Sequence, residues 1–118
     1  MQKRTIKVKR VYDASAPGDG TRVLIDRLWP RGISKERAQV DLWLKDIAPS
    51  RDLRTWFGHD PEKFAEFRQR YKAELASGAA HEALTRLREL AHNGPITLIF
   101  AARDAEHANV RVLQDLLQ

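Results

Sequence analysis

Cysteine is absent from all 118 residues. That excludes disulfides, a thiolate nucleophile, a zinc ribbon and an iron–sulfur site, and it fits a reducing, cytoplasmic setting. Long apolar runs are missing too. None approaches the roughly 20 residues that cross a bilayer, so no membrane segment is expected. The basic first residues are not followed by an apolar stretch and do not read as a secretory leader. No glycine-rich fingerprint opens a helix, no Gly-Lys-Ser/Thr phosphate loop occurs, and there is neither a His-Glu-x-x-His pair nor a serine at a nucleophile elbow. Asp104 and His107 have a ligand-compatible spacing, but two ligands make no metal site. No metal is expected, and the sequence points to no cofactor.

What is present describes one small soluble domain, with 42% apolar and 31% charged residues. The formal net charge is +5. It sits unevenly: Lys3, Arg4, Lys7, Lys9 and Arg10 fall in the first ten residues without an acid, and the rest of the chain is balanced. Two readings follow. The segment attracts nucleic acid or an acidic protein as a non-catalytic binding module, or Lys7 and Lys9 guard the edge of a sheet against pairing with other chains.

Periodicity gives the elements. Ile6 to Tyr12 alternates apolar and charged residues as a strand does, and Val23 to Ile25 is a short apolar run suited to a strand covered on both faces. Val40 to Lys45 alternates again and is expected as a third strand, with Asp41, Trp43 and Lys45 on one face. Ser50 caps a helix that Gly58 ends. Asp60-Pro61 starts another, with Phe64, Phe67, Tyr71 and Leu75 on its buried face and Gly78 as its stop. A helix with Ala80, Ala83, Leu84, Leu87, Leu90 and Ala91 facing inward runs to Gly94-Pro95. Ile96 to Phe100 is the clearest strand, and Asp104 is expected to cap a final helix reaching Leu117. The whole predicts a three-layer α/β domain over residues 1–118, a mostly parallel sheet of about four strands flanked by helices.

In such folds ligands sit beyond the carboxyl ends of the strands. That rule selects two segments. Asp26-Arg27-Leu28-Trp29-Pro30-Arg31-Gly32 brings a carboxylate, two guanidiniums and an indole off one strand end. Arginine forks pair bidentately with carboxylate or phosphate, and an indole stacks a base or a sugar. The bland alternative is that Asp26 and Arg27 pair with neighbouring elements and Trp29 fills the core. Ala101 to His107 follows the last strand; Arg103 adds charge, Asp104 caps, and His107 lies one turn in. There the bland alternative is a capping Asp and a surface His. His59, at a helix entrance, is a weaker candidate, and a turn residue stacked on Trp56 is its plainer reading. The two helices joined near Gly78 expose mixed charge, which suits DNA poorly.

Val23-Leu-Ile-Asp-Arg-Leu-Trp-Pro-Arg-Gly32 resembles the domain of unknown function 488 family, in its short bacterial branch. The resemblance continues through Asp41-Leu-Trp-Leu-Lys45, Ala48-Pro-Ser50, Trp56-Phe-Gly-His-Asp-Pro61, Phe67-Arg-Gln-Arg-Tyr71 and Ala102-Arg-Asp-Ala-Glu-His107. It implies a small α/β fold with these segments as the shared site, and no settled activity. Broader relatives often carry a Cys just after the last strand and more Cys or His in the next helix. Here those places look like Ala101 or Ala102, with His107 remaining, so thiol and Cys-metal chemistry are lost.

The expectation is therefore a domain that binds an anionic, phosphate-containing ligand, such as a phosphorylated small molecule, a nucleotide or a nucleic-acid end. Arg27, Arg31 and Arg103 would hold the anion with Asp104 and His59 nearby, and Trp29 would stack. Asp26 and His107 would be the catalytic candidates for acid/base work.

Overall fold

The computed structural model describes residues 6–118. Lys3 and Arg4 of the basic segment lie outside the described residues. Strands β1 (Lys7–Arg10), β2 (Thr21–Leu24), β3 (Leu42–Trp43) and β4 (Ile96–Phe100) form one sheet in the order β1-β4-β2-β3, with every neighbouring pair parallel. Five helices accompany them: α1 (Lys35–Ala38), α2 (Arg51–Phe57), α3 (Phe64–Glu74), α4 (Gly78–Asn93) and α5 (Asn109–Leu117). The chain is the α/β domain its sequence pattern implies.

β4 is buried at all five positions because strands flank it on both sides and side chains cover both faces. The two faces are unequal. Val23, Ile25, Ile96, Leu98 and Phe100 pack against α2, α3, α4 and α5 in the main core. The other face is thin: Val11, Leu24 and Ile99 meet Ala38 of α1, with Trp29, Ile33 and Trp43 closing around them. Phe67 and Tyr71 of α3 and Leu75 just after it are buried as their spacing predicts, Phe64 is half-buried, and Phe67 stacks on Phe57 at 4.2 Å. Each large side chain so buried contributes about 1.5–3 kcal/mol of transfer free energy.

Three local expectations are corrected. Gly78 does not end α3, which stops at Glu74; it opens α4 with φ +67°. Asp104 does not cap the final helix. It caps a separate 3-10 turn, Ala105–His107, and α5 begins only at Asn109. β3 shrinks to two residues, because Asp41 turns its carboxylate to the Arg22 backbone N–H (2.8 Å) and a 3-10 turn takes over at Lys45.

The turn before β2 has one required glycine. Gly20 has φ +64°, and a Cβ there would lie 2.1 Å from the Pro95 carbonyl oxygen. The same contact zone lets Thr21 N–H reach that carbonyl at 3.0 Å, which sets β2 beside β4.

Candidate functional site

The parallel order puts the ends of β2 and β4 side by side, so the chains leaving them share one space. Asp26 closes the gap: its Oδ2 accepts from the Ala101 backbone N–H at 3.0 Å, tying one strand end to the other. Around this bond lies an open cavity of about 480 Å³. Asp26, Arg27, Trp29 and Arg31 line it from the β2 side, Ala101 and Ala102 from the β4 side, and Arg54, Phe57 and His59 from α2 and its end. The size falls within the range usual for small-molecule sites.

The loop after β2 is held by its own polar groups. Trp43 Nε1 donates to the Asp26 carbonyl at 2.7 Å, Trp29 Nε1 to the Ile33 carbonyl at 2.8 Å, and the Tyr12 hydroxyl to the Arg31 carbonyl at 2.8 Å. Trp29 meets Trp43 edge-on, with centroids 5.5 Å apart. Trp29 is thus both a scaffold residue and part of the cavity wall. Leu28 stands at the mouth, 67% exposed.

The charges are unevenly satisfied. One Arg27 guanidinium nitrogen donates to the Ala48 carbonyl at 3.2 Å, while its Nε is buried without a partner among the described residues. Arg31 and Arg54 make no side-chain hydrogen bond or ion pair among the described residues. Burial pushes the Asp26 carboxyl up to about 6, against the Ala101 hydrogen bond and the positive charges of Arg54 and His59. Three guanidiniums and one hard-to-ionise carboxyl thus share a largely apolar hollow.

His59 arrives there through backbone geometry. Gly58 ends α2 in the left-handed region (φ +54°), its N–H bonded to the Arg54 carbonyl, and His59 follows at φ +57°. Two successive left-handed residues reverse the chain and bring the imidazole to the cavity, 6.3 Å from the Phe57 ring. The charged groups over the Trp56 ring are instead those of Lys63 and Arg70.

The second selected segment divides. Ala101 and Ala102 line the cavity; Arg103, Asp104 and His107 do not. Asp104 is held by the turn it caps and by His107, whose Nδ1 lies 2.8 Å from Oδ2, and this pairing keeps the Asp104 carboxyl below its usual range. His107 packs edge-on against Phe64 at 5.5 Å. Asp26 and His107 are therefore not assembled in one pocket. Sequence reasoning missed Arg54. Its signal was available in the helix period: one turn before Gly58, on a helix whose Leu53 and Phe57 are buried, it leaves the core at the end nearest the strand tips.

The basic strand differs from a free patch. Lys7 Nζ donates to the Gly18 carbonyl, Lys9 pairs with Asp19 at 2.8 Å, and Arg10 reaches the Ala101 and Ala102 carbonyls at 3.0–3.4 Å. No helix among the described residues is long and apolar enough to cross a membrane.

Comparison with known proteins adds the following. The family model described as the inactive DUF488-N3 subclade matches residues 5–118. The chain is 45% identical to the uncharacterized protein Rv3073c of Mycobacterium tuberculosis over 112 residues, covering 95% of this chain and 92% of that one. It is 43% identical to the uncharacterized protein YeaO of Escherichia coli over 114 residues, covering 96% of each. No solved structure matches the chain.

Proposed function

This chain belongs to the inactive DUF488-N3 subclade, and from that premise we propose that it is a binding domain that takes an anionic, phosphate-containing ligand at the strand ends without turning it over. The observation that carries the reading is the charge state of the cavity. Arg27, Arg31 and Arg54 line it, Arg31 and Arg54 make no side-chain hydrogen bond or ion pair among the described residues, and three guanidiniums there face a single lining carboxylate, Asp26, among the described residues. Guanidinium forks suit phosphate oxygens bidentately. The apolar part of the wall lowers the local dielectric and so strengthens such a contact.

Two features support binding rather than catalysis. The family description says "inactive". The place just after β4 carries Ala101 and Ala102, with no nucleophile, and the His107–Asp104 pair stands outside the cavity. Arg103 and Asp104 do not line the cavity. The basic first strand is less suited to be the main contact, since Lys7, Lys9 and Arg10 already serve acceptors within the fold.

A thermal-shift screen of pyrophosphate, phosphorylated sugars and nucleotides tests this reading. A ligand that binds the native state raises Tm by mass action. The expected hit is lost or weakened about tenfold in Arg54→Ala and Arg31→Ala, in line with loss of one charge-assisted contact. No shift with any phosphate, or equal shifts in the variants, would sink the proposal.

A further inference from the structure

A bare anion does not complement this cavity. Asp26 has one oxygen fixed on the Ala101 N–H, and its second oxygen has no hydrogen bond among the described residues. Arg54 and His59 act on the carboxyl through their charge, yet neither forms an ion pair with it. A phosphate seated among the guanidiniums would stand beside that carboxylate oxygen and offer it no donor, and an acceptor stripped of water without a replacement partner is costly. The cavity, at about 480 Å³, is also much larger than an inorganic phosphate requires, and Trp29 and Phe57 give it flat apolar walls. A complementary occupant needs three parts: an anionic end for the arginines, an apolar or planar body, and N–H or O–H donors that reach Asp26.

We infer that the occupant is a nucleoside monophosphate, with its phosphate held by Arg31 and Arg54 and a donor from its base or ribose read by Asp26. This rests on the anion-binding reading above and adds the specificity residue. Asp26 is the only carboxylate lining the cavity among the described residues. A sugar diol or an exocyclic amino group each supplies the donor, and the two sources separate experimentally.

The test is calorimetric titration of the full chain with pyrophosphate, ribose phosphate, adenosine monophosphate and its deoxyribose counterpart, on wild type, Asp26→Asn and Arg54→Ala. Asparagine keeps an oxygen for the Ala101 N–H, so the tie between the strand ends survives, and pyrophosphate binding itself reports an intact site. Wild type is expected to prefer the nucleotide over pyrophosphate by about tenfold or more, the range of one hydrogen bond to a charged group. Asp26→Asn should erase that preference and leave pyrophosphate binding equal or tighter, because a negative neighbour is gone. If ribose phosphate keeps the preference, the diol is the donor; if the deoxy compound keeps it, the base is. A preference undiminished in Asp26→Asn, or pyrophosphate binding as tightly as the nucleotide in wild type, overturns this inference alone. Failure of every phosphate to bind, or binding indifferent to Arg54→Ala, overturns the anion-binding reading and this inference with it.

Discussion

Two places in this molecule set one aspartate among several basic side chains, and the pairing differs completely. Beside β1, Asp19 is 1% exposed and meets Lys9 at 2.8 Å and Arg22 at 2.6 Å, while Arg22 also donates to the Gln39 and Ala38 carbonyls at 2.9 Å. Those contacts hold the Asp19 carboxyl down at about 2. At the strand ends, Asp26 has a backbone partner and no ion pair, and burial carries its carboxyl the other way. The first cluster is closed: each charge faces another or a carbonyl, and it joins β1, β2 and the turn before β2. The second is open, with the Arg31 and Arg54 guanidiniums and one Asp26 oxygen making no hydrogen bond or ion pair among the described residues. Counting charges along the sequence ranks the first region higher. Counting unsatisfied donors ranks the second, and the second count is the one that bears on binding.

The comparison breaks most visibly at Asp19. Asp19→Ala leaves Lys9 and the buried Arg22 uncompensated and should cost about 3 kcal/mol in urea unfolding, the range for removing one partner of a buried pair. A loss below about 1 kcal/mol would show that the closed cluster is not structural. Asp26→Asn should act with the opposite sign. Because the folded state raises this carboxyl toward 6, its ionised form destabilises the fold above that pH, and the cost fades as pH falls toward the unfolded value. The variant should therefore gain about 2 kcal/mol near neutral pH, with the gain shrinking toward about pH 4. Asp19 contributes in reverse: its stabilisation is complete above about pH 4 and is lost as pH falls through its folded value. Melting temperature against pH for the two variants measures both, and parallel curves would refute the contrast. Arg31→Ala and Arg54→Ala should change stability by no more than about 0.5 kcal/mol, since they remove surface groups without partners. Lys7→Ala is the smallest test. It removes an exposed bond to the Gly18 carbonyl and should cost about 0.5 kcal/mol or less. If it instead abolished retention on nucleic acid, β1 rather than the cavity would be the contact surface.

Much of the fold is legible in the residues. The Phe67-Tyr71-Leu75 stripe, the apolar run of β4 and the serine and glycine that bound α2 each state their element, because helix and strand periods and caps are local properties. Asp104 and Gly78 misdirect for the same reason. A capping aspartate serves a 3-10 turn as well as a helix, and a glycine that tolerates positive φ can begin one helix as readily as it ends another.

The candidate site was half legible. Asp26, Arg27, Trp29 and Arg31 announce themselves by leaving one strand end together, and they line the cavity. Arg54 comes from a helix some 30 residues on and carries no such signal, His59 was named only from its place at a helix entrance, and Arg103 and His107 carry the signal and lie elsewhere.

By itself the sequence determined the α/β class, the lack of thiol chemistry and the amphipathic faces, since composition and short-range periodicity decide these. Tertiary structure alone decided which charges are neutralised. Ion pairing depends on separations of a few ångströms between residues distant in the chain, and only the β1-β4-β2-β3 order sets those distances. That order closes Lys9 upon Asp19 and leaves Arg31 and Arg54 open.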